Sequence, residues 1–162
     1  MRDAPPVFAP SGREFLVIDF TYGAVQRYRY PVVQPAGVCE SPFGAFHVSL
    51  CYLDDTRALA GSLNGRMAVL DTPTMRVVNE LIIEGHEPRP LDEYYPRLAG
   101  DRELCTDISD FWRLGDYLIF FHADDRARAS SDGSPRVEGR HDEEIKGMLC
   151  FPISYVLDRY AP

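Results

Sequence analysis

Apolar residues along this chain fall in short runs of strand-like length, and several of those runs alternate with a period of two. Glu14-Phe15-Leu16-Val17-Ile18-Asp19-Phe20 is rich in β-formers and is followed by the turn Thr21-Tyr22-Gly23. From Ala24 to Tyr30 the pattern places Val25, Arg27 and Arg29 on one face and Tyr28 and Tyr30 on the other. Such alternation marks a strand between two different environments. Pro31 ends it, since proline cannot donate to a ladder.

Ala45–Leu53, Arg57–Leu63, Arg66–Asp71 and Met75–Glu84 are separated by Asp54-Asp55-Thr56, Asn64-Gly65 and Thr72-Pro73-Thr74. Residues 45–84 therefore predict a four-stranded meander. Asn64-Gly65 is the strongest hairpin signal and predicts a type I′ turn with positive φ at both residues. Phe111–Leu114 and Tyr117–Phe121 flank Gly115-Asp116, which predicts a turn of the II′ kind. Met148–Leu157 reads as a last strand with Pro152 at an edge or bulge, or with a terminal helical turn over Val156–Tyr160. Pro90–Tyr95, ended by Pro96, is the best helix candidate. Residues 123–141, polar and rich in Ser, Gly, Asp and Arg, predict a long loop or an exposed hairpin tip. The expected fold is mainly β: antiparallel meanders in a single small domain over residues 1–162, with one or two short helices.

Two segments share an internal pattern. The first runs Val7-Phe8-Ala9-Pro10-Ser11-Gly12-Arg13, then Phe15-Leu16-Val17, then Gly23-Ala24-Val25. The second runs Cys51 to Ser62, then Asn64-Gly65-Arg66-Met67-Ala68-Val69-Leu70-Asp71. Phe8 and Tyr52 are 44 residues apart, Val25 and Met67 are 42 apart, and Leu114–Ile119 offers a third copy. Over about half the chain this resembles the inner strands of WD-type β-propeller blades, which repeat at ~40–45 residues. The resemblance implies propeller-blade-like hairpins. The chain departs from the family in lacking a Gly-His and Trp-Asp pair at blade spacing, since Gly85-His86 has no such partner after it. It also offers fewer than the four to eight blades that close a ring. An unclosed propeller exposes long strand edges. The plainer expectation is thus a twisted antiparallel sheet, with dimeric closure of blade-like meanders as the alternative.

At 162 residues the chain fits one domain and should bury roughly 70% of its unfolded surface. An apolar fraction of 45% with 12% aromatics argues against disorder. With 25 acidic against 17 basic residues the net charge is −8. That field, with arginines scattered as in Arg126-Ala127-Arg128, argues against nucleic acid and anionic membranes and permits a basic protein partner. Cys39, Cys51, Cys105 and Cys150 are too widely spaced for a zinc ribbon or a redox pair. Met1-Arg2-Asp3-Ala4-Pro5-Pro6 has no apolar signal region, and no apolar run approaches the ~20 residues of a membrane span. A cytoplasmic protein with four free thiols and no cofactor is expected.

His122-Ala123-Asp124-Asp125 and His141-Asp142-Glu143-Glu144 are the densest polar clusters. His122 and Asp124 share a strand face and, with His141, are candidates to hold a divalent metal; a strand end and a charged loop explain them equally. Carboxylate pairs around Trp112 arise readily in acidic turns, and no nucleophile elbow, phosphate loop or His-Glu-x-x-His is present. The stretch from Glu87 to Asp116 places Tyr94 and Tyr95 among Asp92, Glu93, Asp101 and Asp107, a composition suited to an interface with a basic protein. Phe111 and Trp112 are expected in the core. The leading expectation is a non-catalytic protein-binding domain with the profile of an immunity protein that occludes a basic toxin. A small metal-dependent hydrolase using His122, Asp124 and His141 is the second reading, and a structural β domain closed by homo-oligomerisation is the third.

Overall fold

The computed structural model describes residues 5–19, 23–40, 43, 47–94, 99–100, 103–123 and 145–160. The polar stretch expected at 123–141 lies outside them except for its first residue. The chain is mainly β, as expected, and its strands form antiparallel sheets in sequence order. The first sheet holds β1 (Val7–Phe8), β2 (Glu14–Asp19), β3 (Ala24–Arg29) and β4 (Gln34–Cys39). The second is the predicted meander of β5 (His47–Tyr52), β6 (Arg57–Ser62), β7 (Met67–Asp71) and β8 (Arg76–Leu81). A two-stranded ribbon of β9 (Arg89–Pro90) and β10 (Leu104–Cys105) brackets the short helix α1 (Leu91–Tyr94). The third sheet pairs β11 (Ile108–Leu114), β12 (Tyr117–Ala123) and β13 (Ile145–Pro152), and leads into α2 (Ile153–Tyr160).

The three larger sheets are stacked face to face and do not merge into one twisted sheet. The second lies in the middle. On β6 and β7, Ala58, Ala60, Ala68 and Leu70 pack against Leu16, Val25 and Cys39 of the first sheet. Leu59, Met67 and Val69, at the alternate positions, pack against Phe111, Leu118 and Phe120 of the third. That explains why β6 and β7 read as almost unbroken apolar runs: both faces of a middle layer are core, and each large side chain buried there contributes ~1.5–3 kcal/mol. The layers approach most closely along β5, which neighbours β11 on one side and β1 and β2 on the other. Arg27, predicted to share a face with Val25, is buried between the first two layers and donates from Nη1 to the carbonyl of Thr72.

Two local expectations are corrected. Asn64-Gly65 does not form a type I′ turn, since only Gly65 has positive φ, at 80°. Gly65 N–H donates to the Ser62 carbonyl at 3.0 Å, and Ser62 N–H donates to the Arg66 carbonyl at 2.8 Å. This is a three-residue loop ending in a left-handed glycine. Thr106 N–H donates to the carbonyl of Asn64 at 2.9 Å, so the neighbouring layer holds the loop. At the C-terminus, the ladder stops at Pro152 and Ile153 begins a full two-turn helix, in place of a strand running to Leu157. The Ile153 N–H donates to the Asp116 carbonyl at 2.8 Å, and Tyr160 Oη donates to the Ile82 carbonyl at 2.6 Å. β4 is a further addition: Pro35 and Gly37 disguise a solvent-facing edge strand. Gly115, by contrast, has φ 60° between the paired Leu114 and Tyr117, in keeping with the II′ expectation.

The predicted turn at 54–56 is an aspartate knot. Asp54 Oδ1 accepts from Thr56 N (2.8 Å) and Arg57 N (2.7 Å), while Oδ2 accepts from Arg57 Nε at 2.8 Å. Partial burial would raise this carboxyl, but the bonds from Arg57 and Thr56 outweigh it and hold it below its ordinary value. A depressed carboxylate adds stability that is complete above its unfolded value and is lost as pH falls through its folded value. Denaturant melts of the native protein should therefore lose a component below about pH 4, and Asp54→Asn should flatten that acid limb.

None of the four cysteines is joined in a disulfide. Cys39, Cys51 and Cys105 are buried and Cys150 is exposed. Burial pushes the Cys51 thiol up to about 12 and raises that of Cys39. At pH 8 the native protein should label rapidly at Cys150 alone, and four thiols should react once it is denatured. Mass measurement after brief alkylation checks both numbers.

Candidate functional site

The third sheet has two unlike faces. Its inner face carries the cross-strand rows Phe111–Phe120–Leu149 and Arg113–Leu118–Phe151, and this is the face that packs on the middle layer. The opposite face carries Trp112–Ile119–Cys150 and Leu114–Tyr117–Pro152, with Phe121 opposite Met148 beyond them. On it Leu114 is 68% exposed, Met148 67%, Trp112 63% and Tyr117 51%. Strict alternation in β11 and β12 thus buries one apolar set and presents another to water. Trp112 leans edge-on against Phe121, ring centroids 5.6 Å apart, and its indole N–H donates to Asp110 at 3.4 Å. Phe111 is core, as expected, whereas Trp112 is not.

The first sheet has a matching free face at the other end of the stack. Phe8, Phe15 and Tyr28 form a ladder with centroids 5.3 and 5.2 Å apart, and Tyr30 meets Phe8 edge-on at 5.6 Å. Phe8, Tyr30 and Val38 are about half exposed. A groove of about 630 Å³ runs between the two end layers along the first strands, with Phe8 on one wall, Trp112 on the other and Leu50 to Tyr52 between. The sheets therefore fan apart from β5. No protein-family model matches this chain, and no curated protein matches it in sequence.

The residues expected to meet a basic partner are placed unevenly. Asp92 is half-buried and Glu93 exposed on α1. Tyr95 and Asp101 lie outside the described residues, as does the side chain of Tyr94. Asp107 is engaged within the chain: both of its carboxylate oxygens lie against His86 Nδ1, at 3.0 and 2.9 Å. Among the candidate metal ligands, His122 is half-buried on the inner face of β12 and its ring lies 4.9 Å from that of His86. Asp124 and His141 lie outside the described residues. The structure thus gathers His86, Asp107 and His122, a set separated by 36 residues of sequence and showing no ligand spacing. No helix among the described residues is long and apolar enough to cross a membrane.

Proposed function

We propose that this domain is a non-catalytic protein-binding module whose partner is a second copy of the chain, seated on the outer face of β11–β13. The observation that carries this reading is the cluster of Trp112, Leu114, Tyr117 and Met148, exposed on a sheet whose other face is core. Contiguous apolar patches of this kind mark interaction sites, and Trp and Tyr are favoured as anchors. The aromatic face of the first sheet is the natural counterpart, because face-to-face packing of such sheets already builds both halves of the core. A twofold axis that sets the first sheet of each copy on the third sheet of the other uses every open face and closes the assembly. The six fanned sheets that result fall within the four to eight of a closed propeller.

The basic partner expected from net charge is served less well by this geometry, since Asp107 is occupied by His86 and the exposed face is apolar. Light scattering across a salt series tests the reading. Two copies each bearing −8 repel at long range, so added salt should strengthen the dimer by screening. A complex with a basic protein should weaken instead. A single-chain mass at high micromolar concentration and every salt level would overturn the proposal.

A further inference from the structure

We infer that His86, Asp107 and His122 form a binding site for one divalent transition cation of the zinc class, independent of the docking face. The fold brings them together from three elements. His86 follows β8 in a turn closed by its own N–H on the Ile83 carbonyl at 2.9 Å. Asp107 immediately precedes β11, whose Ile108 stands opposite His122 on β12. One donor atom from each residue lies within 4.8 Å of the others, and all three side chains are half-buried. Donors held at ~2.0–2.2 Å from one tetrahedral ion lie about 3.4 Å apart. The widest separation must therefore close by at most about 1.4 Å, a movement within the reach of side-chain rotation. Two imidazoles and one carboxylate are the donor set of three-ligand zinc sites and of the two-histidine, one-carboxylate iron sites, both of which keep open positions.

A second observation concerns the seat of His122. Its cross-strand neighbour on the inner face is Gly147, and a Cβ at that position would overlap Nε2 of the His122 ring. The ring thus occupies space that any other residue would fill, and its pose beside His86 depends on that glycine. His86 also lines a cleft of about 560 Å³ whose walls include Ile83, Phe120, Phe151, Tyr155 and Arg159. An ion here has a cavity beside it whose largely apolar walls also carry Arg159, Glu84 and Glu87, with room for water at an open coordination position. An internal His86–Asp107 hydrogen bond accounts for two of the residues but leaves the glycine seat of His122 without a purpose.

Calorimetric titration of the metal-free full chain with zinc should give one equivalent bound. His86→Ala, Asp107→Ala and His122→Ala should each weaken binding at least tenfold, and Gly147→Ala should do so by about tenfold through displacement of His122, in line with the usual effect of support around a metal ligand. Asp92→Ala should leave affinity unchanged. Zinc should raise the Tm of the native protein and not that of His122→Ala. Cobalt(II) on the unmodified protein supplies a readout that needs no variant to fold: ring protons of two histidines should shift paramagnetically. Absence of any zinc-dependent rise in Tm, or zinc affinity unchanged in a folded His122→Ala, would overturn the site and in the second case assign the ion to other donors.

Discussion

Gly65→Val is expected to leave the domain largely unfolded at room temperature. Gly65 has φ 80°, a left-handed conformation that costs a residue of this kind of order 1–3 kcal/mol. The strain is the smaller part. A Cβ at this position would collide with the carbonyl oxygen of Ile108 and with Oγ1 of Thr106. Thr106 Oγ1 donates to the Gly65 carbonyl at 2.8 Å, and Thr106 N–H donates to that of Asn64. The loop between β6 and β7 is thus clamped onto the segment that leads into β11, and a valine would part the second layer from the third. Several kcal/mol is a large share of the 5–15 kcal/mol that stabilises a typical domain. Urea melts monitored by far-ultraviolet circular dichroism check it. A midpoint within a few tenths molar of the native value would show that the clamp is dispensable.

The second large effect concerns association. Trp112→Lys with Leu114→Asp should weaken the proposed dimer at least a hundredfold while leaving the melting midpoint of the monomer nearly unchanged. Both side chains are mostly exposed in the single chain, so little of the core is lost. In a dimer each would be buried twice, once in each copy, and losing a central anchor costs at least ~2 kcal/mol. Sedimentation equilibrium of native and variant protein separates the outcomes. If native protein dimerises and the variant does so equally well, the interface lies on another surface.

Strand positions are written in local pattern. The alternation in β3, the turn at Asp54 and the hairpin at Gly115 each depend on a few neighbouring residues, and so the middle meander is legible in the sequence alone. The helix α2 also has a local signal, which the β-rich run before it masks: Ile153, Val156, Leu157 and Tyr160 recur at the spacing of one helical face, and all four join the core. The short strand Gln34–Cys39 is hidden because Pro and Gly obscure the β signal on an edge strand. The Asn64 conformation is decided by a hydrogen bond from Thr106, 42 residues away in sequence, against the local preference of Asn-Gly.

What only the tertiary structure decided is which of two apolar faces is buried. β12 runs Tyr117-Leu118-Ile119-Phe120-Phe121 and β11 sets Phe111 directly beside Trp112, so periodicity alone gives no sign that Phe111 is core and Trp112 is not. That choice is made by the second layer, which can cover only one face of the third sheet. The gathering of His86, Asp107 and His122 has the same origin. Each residue sits at the end of a strand or in a connecting segment, and nothing in the local sequence encodes their distance. They meet because antiparallel pairing brings the start of β11 beside the end of β12, and because the packing of the second layer on the third carries the loop after β8 to the same edge.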